Sequence, residues 1–159
     1  MEPTRTKVIY FDLDGTLFDH DHSLRQAISA IHKKYSAPTE KTIEGNKADT
    51  RKIHLIFRSL GLPKPSLDEV QQVRDAYRAL YRANRRPTAG SVETLVRLRE
   101  RGYRIGIITN GQIQGQTEKA KAIGILHLTD RIITSEEAGH RKPDRRIFQY
   151  AIEQLGTNP

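Results

Sequence analysis

The sequence predicts an α/β fold built on a parallel sheet. Three observations carry this. A short apolar run, VIYF at residues 8–11, breaks off at two aspartates one residue apart. Two later runs, YRIGIITNG and DRIITS, share its β-branched character. Segments with helical spacing separate them, and alternating strand and helix is the pattern of parallel strands joined by right-handed crossovers.

Taken in order, VIYF reads as a buried strand ending at Asp12 and Asp14. From about Ser23 to Arg86 the pattern is helical throughout: SLRQAISAIHKKY, TRKIHLIFRSLG and SLDEVQQVRDAYRALYRANRR. Ser23 and Ser66 fit N-caps and Gly61 fits a C-terminal stop. No strand signal interrupts this stretch, so it reads as an all-helical insertion. Next comes GSVETLVRLRERG, a helix capped by Ser91 and closed by Gly102, with Val92, Leu95, Val96 and Leu98 on one face. The strand YRIGIITNG ends in a turn. IQGQTEKAKAIGI is a weaker helix because it holds two glycines. DRIITS is a short strand. PDRRIFQYAIEQLG is a helix with Ile147, Phe148, Ala151, Ile152 and Leu155 on one face and Gly156 behind it.

The totals bound the function. A chain of 159 residues is one domain, or one domain with an insertion. Its 27 Lys+Arg against 19 Asp+Glu give a net charge of +8. The basic residues are dispersed and lack the aromatic interleaving of single-strand binders, so the charge argues only weakly for nucleic acid. There are no cysteines, which excludes disulfides, thiolate metal sites and cysteine nucleophiles. The apolar run before Asp12 is too short for a signal peptide or a membrane span, and the default compartment is the cytoplasm.

In open α/β sheets, ligands sit beyond the carboxyl ends of the strands. Three such ends are legible. The first carries Asp12 and Asp14, the second Thr109, Asn110 and Gly111, and the loop after the third brings Lys142 to the start of the last helix. Two nearby carboxylates repel each other, and a divalent cation relieves that. Carboxylate and carbonyl oxygens suit Mg²⁺. One carboxylate can act as a nucleophile toward phosphorus, and its neighbour can carry a proton for the leaving oxygen. Thr109, its turn amides and Lys142 can bind phosphoryl oxygens. Each feature alone has a plainer reading: Asp as a turn former, Thr-Asn-Gly as a turn, Lys142 as surface. Their conjunction, each at the end of its own α/β unit, favours a site. D-x-D-G-T itself arises by chance in about one such chain in a thousand.

These motifs identify the resemblance. DLDGTL, ITNG and the lysine of HRKPD resemble, in order, the first three motifs of the haloacid dehalogenase-like (HAD) hydrolase superfamily, most of whose members are phosphatases. The resemblance runs from about Lys7 to the end of the chain. It implies a Rossmann-like parallel sheet, with a core of residues 1–17 and 88–159 and a C1-type helical cap of residues 18–87. It implies that Asp12 is the nucleophile and Asp14 the general acid and base. Thr109, Asn110 and Lys142 would hold the phosphate. Mg²⁺ would be bound by the Asp12 carboxylate and the Asp14 backbone carbonyl. Asp14 favours phosphatases over dehalogenases, and the substrate would be a small phosphomonoester.

The family pattern continues past the last helix with a fourth strand, whose Gly-Asp motif completes the Mg²⁺ shell. These 159 residues contain no such motif. The expectation is therefore a sheet incomplete at its C-terminus, weaker metal binding, and an open edge on the first strand that invites self-association. The alternative is a truncated, catalytically impaired relative that binds phosphate or a partner without turnover. Nucleic-acid binding stands third, on net charge alone. Glu136 and Glu137 read as loop caps rather than replacement ligands. His20 and His22 have metal-like spacing but read as a solvated loop before a helix. Tyr77, Leu80 and Tyr81 read as packing between cap helices.

Overall fold

The computed structural model describes residues 7–35, 50–59 and 61–155. Its strands are β1 (Val8–Phe11), β2 (Arg104–Thr109) and β3 (Arg131–Thr134). They form one parallel sheet in the order β1-β2-β3, with Phe11 opposite Ile107 and Thr109 opposite Thr134. The helices are α1 (His20–Tyr35), α2 (Thr50–Ser59), α3 (Leu67–Ala83), α4 (Ser91–Glu100), α5 (Ile113–Ala122), α6 (Ser135–Ala138) and α7 (Arg145–Leu155), with a 3₁₀ turn at Leu126–Leu128. The fold class is the α/β class that the strand and helix alternation predicts.

β2 lies in the centre, and its near-continuous apolar run suits a strand covered on both faces. Ile105 and Ile107 are fully buried on one face by alternation. On the other, Ile108 joins Ile133 of β3 and Ile147 and Ala151 of α7 in one cluster, with Tyr10, Ala138 and Tyr150 packed against it. The Tyr10 hydroxyl donates to the Ala151 carbonyl at 2.7 Å, so even the polar tip of this ring is satisfied.

The chain divides into two compact units, residues 1–20 with 86–159, and residues 21–85. The second has its own core, in which Ile31, Ile53, Phe57, Val70 and Val73 are buried and Leu62, Tyr77 and Leu80 pack against them. Tyr77 and Tyr81 stack with centroids 5.9 Å apart. α3 begins with a full capping box: the Ser66 hydroxyl accepts from Glu69 N, and the Glu69 carboxylate accepts from Ser66 N. Gly61, at φ +67°, follows α2 with the left-handed backbone of a helix stop.

Several local expectations change. Ser23 is no cap; it lies inside α1, fully buried, and donates to the Asn84 carbonyl at 2.8 Å. His20 and His22 therefore sit in the first turn of α1, not in a loop. Ser91 is the first residue of α4, behind a left-handed Gly90, and its hydroxyl donates to the Leu17 carbonyl. In both serines a tertiary acceptor competes successfully for the hydroxyl. Val96 and Phe148 are exposed, so the buried faces of α4 and α7 are narrower than the periodicity suggests. The Gly156 stop lies outside the described residues.

Candidate active site

The loop after β1 is folded around Leu13, which is fully buried. Its carbonyl accepts from the amides of Thr16, Leu17 and Phe18 at 2.9–3.2 Å, and Gly15 N donates to the Phe18 carbonyl. Gly15, at φ +84°, makes that tight reversal possible. With Leu13 turned inward, the flanking Asp12 and Asp14 stay half-buried at the carboxyl end of the sheet.

The turn after β2 is built just as closely. Thr109 is buried, with a fractional exposure of 1%. The Asn110 side chain holds the main chain of Lys142 from both sides, accepting from its N–H at 2.8 Å and donating to its carbonyl at 3.2 Å. The Gly111 amide donates to Ser135 Oγ at 2.9 Å. Glu136 accepts from the Ile113 amide at 2.8 Å and so caps α5, while Glu137 pairs with Arg131 and accepts from the Tyr150 hydroxyl. Glu136 thus acts as the cap its sequence suggests, whereas Glu137 is not a cap and is held by the Arg131 guanidinium and the Tyr150 hydroxyl.

Lys142 then reaches the sheet end. Its Nζ donates to Asp12 Oδ1 and, at 2.7 Å, to the Ile108 carbonyl. Asp12, Asn110 and Lys142 are thus brought together from three strand ends, and the buried Thr109 precedes Asn110 at the end of β2. Asp14 stands beside them and has partners that the sequence did not announce. Lys119 Nζ donates to Asp14 Oδ1 at 2.6 Å, and Gln116 Nε2 donates to Asp14 Oδ2 at 3.2 Å and to the Asn110 carbonyl at 2.8 Å. Both residues come from α5. The available signal was their i, i+3 spacing, which sets them on one face of the helix after the second strand end.

Each carboxylate therefore faces an ammonium group. Among the described residues, no group of three or more His, Cys, Asp or Glu side chains could hold a metal ion. What the β1 end offers a cation is hard oxygen from Asp12 and Asp14.

Residues 6–159 match the sequence profile described as haloacid dehalogenase-like hydrolase. The chain belongs to that family. Among its relatives, a glyceraldehyde 3-phosphate phosphatase of Methanothermobacter thermautotrophicus is 30% identical over 96% of this chain and 73% of its own length. A protein of the same name from Methanopyrus kandleri is 31% identical over 96% of this chain and 72% of its own length. A HAD family hydrolase of Deinococcus radiodurans R1 superposes with a TM-score of 0.74 at 20% identity, over 97% of this chain and 69% of that one. That likeness is one of fold. With HAD membership shown, the strand-end cluster is the natural candidate for the active site. No helix among the described residues is long and apolar enough to cross a membrane.

Proposed function

We propose that this chain is a cytoplasmic, Mg²⁺-dependent phosphatase of small phosphomonoesters, working through an aspartyl-phosphate on Asp12. The observation that carries the reading is the Lys142 ammonium on Asp12 Oδ1, with Asp14 on the next outward position of the same loop. A carboxylate nucleophile, a proton carrier and a fixed cation then share one sheet edge. The relatives named as phosphatases support the hydrolysed bond, and their triose phosphate falls within the proposed substrate class.

In this reading an Asp12 oxygen attacks phosphorus, and the bond from phosphorus to the ester oxygen breaks. Asp14 gives its proton to the departing oxygen. Water then attacks the phosphoryl group on Asp12, Asp14 takes the proton back, and inorganic phosphate leaves. Lys142, Thr109 and the turn amides hold the phosphoryl oxygens; the Asn110 side chain acts by holding Lys142. The donor chemistry of the β1 end fits Mg²⁺: the Asp12 carboxylate and the Asp14 carbonyl would hold it, and water commonly fills much of its shell. Bound there, it would offset charge on the phosphoryl oxygens. Residues 21–85 would act as the cap that selects substrate.

The test is hydrolysis of p-nitrophenyl phosphate with and without Mg²⁺, beside Asp12→Asn. Mg²⁺-stimulated turnover that the variant lacks supports the reading; turnover retained by a folded Asp12→Asn protein defeats it. The impaired alternative predicts no stimulation by Mg²⁺. β1 has one hydrogen-bonded neighbour among the described strands, so pairing with a second copy belongs to the same proposal. A mass by light scattering that stays monomeric across concentration would remove that part.

A further inference from the structure

We propose that Gln116 and Lys119 form a clamp on the Asp14 carboxylate, and that Lys119 is a positioning residue for the proton transfer Asp14 performs. The inference rests on the phosphatase reading above and adds to it two residues on α5.

The clamp engages both oxygens of one carboxylate. Lys119 holds Oδ1 at 2.6 Å and Gln116 holds Oδ2 at 3.2 Å. Two donors at the two ends of a carboxylate fix its plane as well as its position, which one donor cannot do. Lys119 suits this task. Its side chain is only 16% exposed, and its ammonium lies 5.5 Å from the centroid of the Phe18 ring. A cation in such a place is costly unless paired, so it stays on Asp14.

Gln116 extends the clamp to the rest of the site. Its Nε2 donates at once to Asp14 and to the Asn110 carbonyl. Only the nitrogen end of an amide can donate to two acceptors, so the orientation of this side chain is set. Its Oε1 is buried with no hydrogen-bond partner, a cost the arrangement tolerates to keep the nitrogen where it is. Gly111 makes room: a Cβ there would come within 2.5 Å of Gln116 Nε2. Lys142, Asn110, Gln116, Asp14 and Lys119 therefore form one connected run of hydrogen bonds, in which the proton carrier is set relative to the cation on the nucleophile. Oδ1 has the shorter contact; Oδ2, held by the longer one to Gln116, is the oxygen assigned to exchange the proton with the ester oxygen.

Leaving-group dependence tests this. A p-nitrophenolate departs readily without a proton, whereas an alkoxide needs one, so loss of proton transfer should show selectively on alkyl esters. kcat/KM is measured for p-nitrophenyl phosphate and for the fastest of glyceraldehyde 3-phosphate, glycerol 3-phosphate and glucose 6-phosphate. The proteins are wild type, Asp14→Asn, Lys119→Met and Lys119→Gln, each required to melt cooperatively. Two Lys119 variants guard against one failing to fold. The expected result is a fall of about thirtyfold on the alkyl ester in the Lys119 variants, against less than about threefold on the aryl ester, with Asp14→Asn biased further the same way. If Asp14→Asn is selective but the Lys119 variants lose both esters equally or neither, the clamp is overturned and the phosphatase reading stands. If Asp14→Asn shows no bias, or wild type turns over no alkyl ester, the underlying reading fails and the clamp with it.

Discussion

Asn110 and Lys142, 32 residues apart, exchange two hydrogen bonds: the amide oxygen accepts from the lysine N–H at 2.8 Å and the amide nitrogen donates to its carbonyl at 3.2 Å. The turn after β2 thereby fixes the main chain of the loop before α7. A lysine stem is long and flexible, and its ammonium is a well-placed charge only if its root is held. Here both ends are held, the root by Asn110 and the tip by Asp12 and the Ile108 carbonyl.

Removing the tip should therefore cost more than removing the hold on the root. Lys142→Met is expected to lower kcat for p-nitrophenyl phosphate by about a hundredfold or more, as loss of a preorganised charge does. Asn110→Ala is expected to lower it by about tenfold, through misplacement of the same ammonium. Because both act on one group, the double variant should fall little below Lys142→Met alone. Losses that multiply would show that Asn110 acts independently of Lys142.

Gly111 is predicted to be intolerant of even one methyl group. Its φ is +151°, a backbone that L side chains rarely adopt, and a Cβ would meet the Gln116 amide. Gly111→Ala is expected to cost about 1–3 kcal/mol from the backbone alone. Thermal melting reads that cost. A parallel loss of turnover in the folded fraction would follow from displacement of Gln116, and a variant with wild-type melting would contradict the tight packing at this turn.

Much of this architecture was legible because it rests on local pattern. Four apolar residues ending at Asp12, the IGIIT run and the RIIT run are strands by their own composition, and Ser66 announces the start of α3 as its N-cap. The parallel order of the three strands places their motifs at one edge, which is why Asp12, Asn110 and Lys142 meet. The parts that were not legible depend on partners distant in sequence. Lys119 and Gln116 take their meaning from Asp14, 105 and 102 residues away. Ser23 and Ser91 look like caps until the Asn84 and Leu17 carbonyls arrive to claim their hydroxyls. Periodicity also marks a face wider than the one that is covered: Val96 and Phe148 share the apolar face of their helices and are exposed.

The centre of the sheet yields a stability prediction independent of the chemistry. Gly106 lies in β2, and a Cβ there would come within 2.6 Å of the Tyr10 ring and 2.7 Å of Leu155. None of these can simply swing away, since Leu155 is buried and Tyr10 is tethered by its hydroxyl to the Ala151 carbonyl. Gly106→Ala is expected to destabilise by about 1–3 kcal/mol through overpacking. In a domain of this size that lowers Tm by roughly 2–12 °C. An unchanged or raised Tm would mean that α7 stands further from β2 than described.

Asp144 anchors the start of α7, and that anchor is expected to weaken in acid. Its carboxylate accepts from the Arg146 guanidinium and, at 2.9 Å, from the Arg146 amide. The Arg146 side-chain hydrogen bonds, then its backbone N–H, hold the Asp144 carboxyl far below the usual carboxylate range; burial opposes this, and the charges of Arg146 and His140 add to it. A carboxylate whose folded pKa is depressed stabilises the fold above its unfolded pKa of about 3.9 and loses that contribution as pH falls toward the folded value. Asn keeps the shape and can still cap a helix, but it has no charge to lose. Near pH 6 the wild-type protein should therefore melt above Asp144→Asn, and the two melting curves should converge as the pH is taken below about 4. The gap should also shrink in high salt, since the pair lies at the surface. A difference that persists unchanged at low pH would assign the effect to side-chain shape, and one absent at pH 6 would show that solvent already screens the pair.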